Sequence, residues 1–185
     1  GDPKGGRTEL HQAALDGRSK DVDRMLRGGA SVNARDINGR TPLHLACTFM
    51  TDGQFRRVKC DIALTLLRAG AQAGIRDAEG RTALHVGVMT KKYHISPAVV
   101  DALLEQPGID VNATDFRGRT ALHLASSAGA KNVRVLLQNA RFRSEVRLDL
   151  RSKAGKTALD CACDAEVAEL LCGSAGAAGT HQGAG

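Results

Sequence analysis

A threonine followed three residues later by histidine recurs four times along this chain, and a string repeated at such spacing admits few folds. TELHQAA starts at Thr8, TPLHLAC at Thr41, TALHVGV at Thr82 and TALHLAS at Thr120. TALDCAC at Thr157 keeps the threonine but carries Asp160 in the histidine position. Successive starts lie 33, 41, 38 and 37 residues apart. Each string follows a glycine and a base: Gly6-Arg7, Gly39-Arg40, Gly80-Arg81, Gly118-Arg119 and Gly155-Lys156. A period of this size marks an architecture of stacked supersecondary units.

The segments between the strings share a layout. Thr8 to Ala14 begins a short helix that Gly17 ends, Asp21 to Leu26 supplies a second apolar stripe, and Gly29-Ala30 breaks it. Ser31 to Gly39 then crosses back as an extended turn. Leu66-Leu67 with Gly70-Ala71, and Leu103-Leu104 with Gly108, close in the same way. One pair of short helices cannot bury its apolar face alone, whereas a stack can. Composition agrees: aromatics are 3% of the 185 residues, too few for an antiparallel sandwich, while 42% hydrophobic and 25% charged residues suit a soluble globular chain. No apolar run reaches the length of a membrane span, and GDPKGGRTELH has no signal-peptide core. Five cysteines without a CxxC pair fit a reducing compartment, cytoplasm or nucleus.

These residues resemble the ankyrin-repeat family. Its T-P-L-H-x-A signature stands most fully at Thr41-Pro42-Leu43-His44-Leu45-Ala46, and its linker stands at 29–41 and again at 110–120. The resemblance covers residues 2–172 and implies an all-α solenoid of stacked helix-turn-helix units with projecting β-hairpin-like turns. Repeats start near 8, 41, 82, 120 and 157, and 173–185 reads as a disordered Gly/Ala-rich tail. The threonines fit helix N-caps, Pro42 fits N1, and Leu10, Leu43, Leu84, Leu122 and Leu159 face the stack. The family uses the histidine to hydrogen-bond neighbouring backbone, so His11, His44, His85 and His123 are scaffold residues and no metal site is expected.

Departures from the 33-residue period fall between helices and are expected to project from the rim: 50–60 with Phe55, Arg56, Arg57 and Lys59, a shorter insertion at 91–94, and 140–147 with Arg141, Phe142, Arg143 and Arg147. Loop residues on a rigid scaffold are the expected carriers of specificity.

The resemblance implies that partners contact hairpin tips and inner helices. Carried over, the tips are Ile37, Asn38, Arg40; Ala78, Glu79, Arg81; Phe116, Arg117, Arg119; and Lys153, Ala154, Lys156. Asp36, Asp77 and Asp115 are expected to order the turns. Phe49 and Met89 form an apolar strip on the inner face, or Phe49 packs against the 50–60 insertion instead. The tips carry more bases than acids, and the whole chain has a formal charge of +6. The expected partner is therefore an acidic or amphipathic protein segment bound by a monomeric, non-catalytic scaffold or adaptor module. No P-loop, GxGxxG or HExxH is present, and no cofactor is expected. Two other readings are a transcription regulator like the inhibitor-of-NF-kappa-B relatives, and weak nucleic-acid binding through scattered arginines.

Overall fold

The computed structural model describes residues 5–48, 53–91 and 95–178. Among these residues the chain forms ten α-helices and one 3-10 turn. Repeat one is α1 (Glu9–Asp16) with α2 (Ser19–Arg27), and repeat two is α3 (Pro42–Cys47) with α4 (Gly53–Arg68). Repeat three is α5 (Ala83–Val88) with α6 (Pro97–Leu104). Repeat four is α7 (Ala121–Ala128) with α8 (Ala130–Gln138), followed by an additional helix, α9 (Ala140–Glu145). Repeat five is a 3-10 turn (Leu159–Cys161) followed by α10 (Ala165–Ala178). Inner helices α1, α3, α5 and α7 pack on one another in order, as do outer helices α2, α4, α6 and α8.

Each inner helix begins where its threonine leaves the extended region: φ and ψ are −76° and 165° at Thr8 and −82° and 169° at Thr120. The threonine and the histidine three residues on exchange bonds as a capping box in the first four repeats. Leu10, Leu43, Leu84 and Leu122 are buried between neighbouring inner helices, and Val22, Leu66, Leu103 and Leu136 close the core from the outer layer. Alanines at Ala13, Ala46 and Ala125 let the helix axes approach closely. The seam of small aliphatic side chains accounts for the scarcity of aromatics.

Two of the three insertions fold differently from the expected projecting loops. From residue 53 the 50–60 surplus forms the first turns of α4, which reaches 16 residues, while 50–52 lie outside the described residues. Its Lys59, expected on the rim, is 1% exposed because the long helix turns this side chain inward. The 140–147 surplus forms α9, capped by the Asn139 carboxamide on the Phe142 N–H at 2.8 Å. Phe142, also expected outside, is fully buried, and Arg141 donates to the Leu104 and Ile109 carbonyls of repeat three. This insertion is an inter-repeat strut. Of the 91–94 insertion, residues 92–94 lie outside the described residues. Ile95 after it is buried against Gly87, where an added Cβ would stand 2.5 Å from Ile95 Cδ1.

The last repeat departs further. Its inner helix shrinks to a single 3-10 turn, which Thr157 and Asp160 cap reciprocally. Leu159, expected to face the stack, is exposed instead. Cys161 ends the turn and Cys163 is exposed beyond it. The tail expected from residue 173 begins inside α10, which continues to Ala178. Alanine is the strongest helix former, so GSAGAA extends a helix already started by Ala165–Leu171. Residues 179–185 lie outside the described residues.

Asparagine clasps tie neighbouring linkers together. Asn33 donates to Gly70 O and accepts from the Gln72 N–H. Asn112 does the same with Glu145 O and the Arg147 N–H, at 2.8 Å each. Between repeats two and three the equivalent residue is Gly74, and nothing lies within 4 Å of a Cβ built there. Gly74→Asn should therefore restore the clasp and remove glycine's unfolded-state entropy, raising stability by about 1 kcal/mol in urea denaturation. In the same assay Leu122→Ala should cost about 2–5 kcal/mol through its cavity. A loss of stability in the first variant, or less than about 1 kcal/mol in the second, contradicts the register described here.

Candidate functional site

Four hairpin turns of one geometry form the edge of the stack. The residue at position 36, 77, 115 or 152 donates its N–H to the carbonyl of residue 40, 81, 119 or 156, at 2.8–2.9 Å in each case. The glycine before the last residue of each turn has positive φ, 67° at Gly39 and 77° at Gly80. Gly80 is fixed twice over, since a Cβ there would also stand 2.9 Å from Phe116 N in the next hairpin. The tips are joined in series. Ala78 N–H donates to Asn38 O, Phe116 N–H to Glu79 O and Lys153 N–H to Arg117 O, at 2.7, 2.9 and 2.9 Å. All tips thus line a single edge.

Asp36, Asp77 and Asp115 order the turns as expected. One oxygen of Asp36 accepts from Asn38 N–H and Arg40 N–H, both at 2.9 Å. Asp77 accepts from Glu79 N–H and Arg81 N–H, and Asp115 from Arg117 N–H and Arg119 N–H. The second oxygen takes the guanidinium of the same turn: Arg40 at 2.8 Å, Arg81 at 2.7 Å and Arg119 at 2.7 Å. Burial opposes ionisation of these carboxyls, but the guanidinium and the two N–H groups outweigh it and hold all three below the usual carboxylate range.

The arginines expected to meet a partner therefore have internal counter-charges. Arg81 also pairs with Glu79 at 3.0 Å. Arg117, Lys153 and Lys156 are exposed and form no ion pair among the described residues. Beside them stands Phe116, 61% exposed, and further along the edge Ile37, 73% exposed. Ile37 was recognisable as a tip residue; of the residues that hold its place in the other three turns, Ala78, Phe116 and Lys153, Phe116 alone is a large hydrophobic.

On the inner face Met89 ends α5 and is 41% exposed. Its proposed companion Phe49 lies outside the described residues, as does the side chain of Arg56, while Arg57 is exposed on α4. Below them Lys59 Nζ donates to Leu45 O at 3.1 Å and to Thr48 O at 2.7 Å. The ammonium caps the carbonyl end of α3, where positive charge is favoured. Burial lowers its pKa to about 8, and burial raises that of the neighbouring Cys47 thiol to about 12. Sequence reasoning missed this cap because Lys59 follows Arg56 and Arg57 in an apparently solvated run; the signal was its position three residues before the helix's first buried isoleucine, Ile62, on the same helix face.

The histidines link the edge to the helices. Thr41 N–H and hydroxyl donate to His44 Nδ1, and His44 Nε2–H donates to Arg81 O at 3.1 Å. His11 reaches Arg40 O, His85 reaches Arg119 O and His123 reaches Lys156 O. A carbonyl only accepts, so each ring is the neutral Nε2–H tautomer. Among the described residues no cluster of His, Cys, Asp or Glu has metal-ligand geometry, and no helix is long and apolar enough to cross a membrane.

A family model described as ankyrin repeats (three copies) matches residues 10–115, 55–146 and 94–182. Neurogenic locus notch homolog protein 1 of Mus musculus is 30% identical over 132 residues, 71% of this chain and 5% of the relative. The Homo sapiens protein of the same name is 28% identical over 132 residues, and the Xenopus laevis one is 27% identical over 154 residues, 83% of this chain. This chain thus spans 5–6% of the length of these curated relatives.

The relay makes stability depend on neutral histidines. Burial lowers the pKa of His85 from 6.5 to about 4, and lowers those of His11 and His44. Between 6.5 and the folded value the unfolded chain binds the extra proton, so stability is complete above pH 6.5 and falls with acidification toward pH 4. His85 alone should contribute a loss on the order of 3 kcal/mol. The hairpin aspartates, depressed below their ordinary 3.8, add a further loss at lower pH. Urea midpoints at pH 7.5 and 5 should differ accordingly, and His85→Gln should reduce the difference; equal midpoints contradict it.

Proposed function

The chain belongs to the ankyrin-repeat family, whose members are generally protein-interaction modules, and we propose that it binds an acidic or amphipathic segment of a partner protein along its hairpin tips and concave face. The observation that carries this reading is the exposed apolar and cationic row at the edge: Phe116 between the ends of two rigid turns, beside Arg117, Lys153 and Lys156. Exposed aromatic anchors flanked by cations suit an acidic segment with an apolar residue. Met89 extends the surface onto the inner face, and Arg57 adds an exposed cation on α4; Phe49 and the Arg56 side chain, the other candidates there, lie outside the described residues. Arg40, Glu79, Arg81 and Arg119 serve it indirectly, by shaping the turns through Asp36, Asp77 and Asp115.

We take the module to be non-catalytic, a reading supported by His11, His44, His85 and His123, each of which spends both ring nitrogens on the scaffold. Five free thiols support a reducing compartment, cytoplasm or nucleus. Nucleic-acid recognition has less support at the tips than the protein reading, since Arg40, Arg81 and Arg119 are paired with buried aspartates.

The test is affinity capture with the chain as bait, beside two variants. Phe116→Ala with Arg117→Glu should remove the proteins captured by the wild type. Lys131→Glu, an exposed change on α8, should retain them. Calorimetry with an identified partner should show the tip variant weakened about tenfold or more, with a smaller salt dependence. Undiminished affinity in the tip variant places the interface elsewhere. Charge reversal at Arg81 or Arg119 is a poor substitute, because it leaves Asp77 or Asp115 buried without its cation.

A further inference from the structure

The last of the four hairpins, the one that opens repeat five and is called the fifth after it, has the backbone of the other three but lacks their carboxylate. Ser152 stands where Asp36, Asp77 and Asp115 stand, and Lys156 stands where the arginines stand. The turn is otherwise preserved. Ser152 N–H donates to Lys156 O at 2.8 Å, Gly155 N–H to Ser152 O at 2.8 Å, and φ at Gly155 is 72°, equal to that at Gly118. Lys153 N–H is tied to Arg117 O, as Phe116 N–H is tied to Glu79 O.

Identical backbone geometry aims identical donors. In the three earlier turns the N–H groups two and four residues after the aspartate converge on one carboxylate oxygen at 2.8–2.9 Å. In the fifth turn these are Ala154 N–H and Lys156 N–H, and neither meets an acceptor among the described residues. Ser152 is one atom group too short to reproduce the carboxylate, and it is itself buried. Asp160 does not substitute: its carboxylate accepts from Thr157 N–H and hydroxyl at 2.8 and 2.9 Å. Asp149 is paired with Arg147, and Asp115 with Arg119.

The surrounding charge is positive. Lys156, Lys153 and Arg117 form no ion pair among the described residues, although Lys156 acts on Asp160 at longer range, and Arg151 donates to Gly155 O while standing 3.9 Å from Asp160. Two convergent backbone donors with a cation beside them form an anion-binding concavity.

We infer that the fifth hairpin is a carboxylate-binding site, which takes from a partner protein the aspartate or glutamate that the other hairpins supply from their own chain. The incoming oxygen accepts from Ala154 N–H and Lys156 N–H, and the Lys156 ammonium pairs with it as the Arg40 guanidinium pairs with Asp36. Phe116, on the adjoining tip, lies next to the segment that carries the acid. The inference rests on the protein-binding reading above and deepens it, since it names one anchor and its chemistry.

The test uses the full 185-residue chain, labelled with nitrogen-15, and the peptide acetyl-Glu-Asp-Phe-Glu-Asp-amide, with a neutral Gln/Asn counterpart as control. Titration of the acidic peptide should move the Ala154 and Lys156 amide protons downfield, while the neutral peptide leaves them in place. Ser152→Asp supplies the missing carboxylate internally. It should raise the melting temperature, as a completed turn would, and weaken the acidic peptide at least tenfold. Ser152→Asn fills the same two N–H groups without adding charge and should also weaken the peptide, whereas Ser152→Ala should not.

The readouts separate the two levels of the argument. If the peptide moves Phe116 and Arg117 but leaves the amides of Ala154 and Lys156 unmoved, the carboxylate site is overturned and the wider reading stands. If Ser152→Asp weakens binding and Ser152→Asn does not, the effect is general electrostatics and the site is likewise overturned. If wild-type chain shows no shifts with the acidic peptide, both readings fall.

Discussion

The imidazole between successive repeats is the contact on which the architecture depends. Its Nδ1 takes the hydroxyl and N–H of the preceding threonine, and its Nε2–H takes a carbonyl of the next hairpin, Arg40, Arg81, Arg119 or Lys156. One ring therefore begins a helix and fixes the turn that will begin the following one. Inner helices of six to eight residues are too short to persist alone, since nucleation is unfavourable and few bonds follow it. They exist because each start is locked to a neighbour and each leucine seam is covered by the next. Neutrality of the ring is part of the arrangement: a second proton would remove the acceptor that the threonine needs.

A second arrangement redistributes charge. The sequence has an excess of bases at the tips, but the excess of the fold lies elsewhere. Each buried aspartate of the hairpins binds two backbone N–H groups and one guanidinium, so Arg40, Arg81 and Arg119 are structural cations with their charge offset locally. What remains unpaired is concentrated toward the fourth and fifth tips. Net charge describes the field of the whole chain and says little about which cations are available to a partner.

The repeat itself was legible because its determinants are local. Threonine at an N-cap, histidine three residues later and glycine at a left-handed position each act within a few residues, and their recurrence at about one period leaves little freedom. The insertions were illegible for the opposite reason. ARFRSEVR has a loop's composition, yet Asn139 caps it, Phe142 is fully buried and Arg141 reaches carbonyls of repeat three, which no local pattern encodes. Lys59 is a similar case: its three donors are satisfied by the end of α3, eleven and fourteen residues earlier, and only the path of α4 brings them together. At the tips, residue identity and order could be read, but the pairing of Arg81 with both Asp77 and Glu79 could not.

Where a scaffold is built from copies, a departure in one copy can be read against the others in the same molecule. Gly87 departs from Ala46 and Ala125, and Ile95 fills the space; the change is compensated within the fold. Gly74 departs from Asn33 and Asn112 without a substitute, which leaves one joint of the stack less tightly clasped. Ser152 departs from three aspartates in a turn whose backbone is unchanged, and no neighbouring carboxylate takes over its two N–H groups. The first departure concerns packing and the second concerns stiffness. The third leaves donors directed outward in a geometry that this chain elsewhere uses to hold a carboxylate, and a rigid set of donors loses little entropy when an external acceptor arrives. Selectivity in such a module then follows from where its repeats fail to satisfy themselves, and these points lie beside the exposed ring of Phe116.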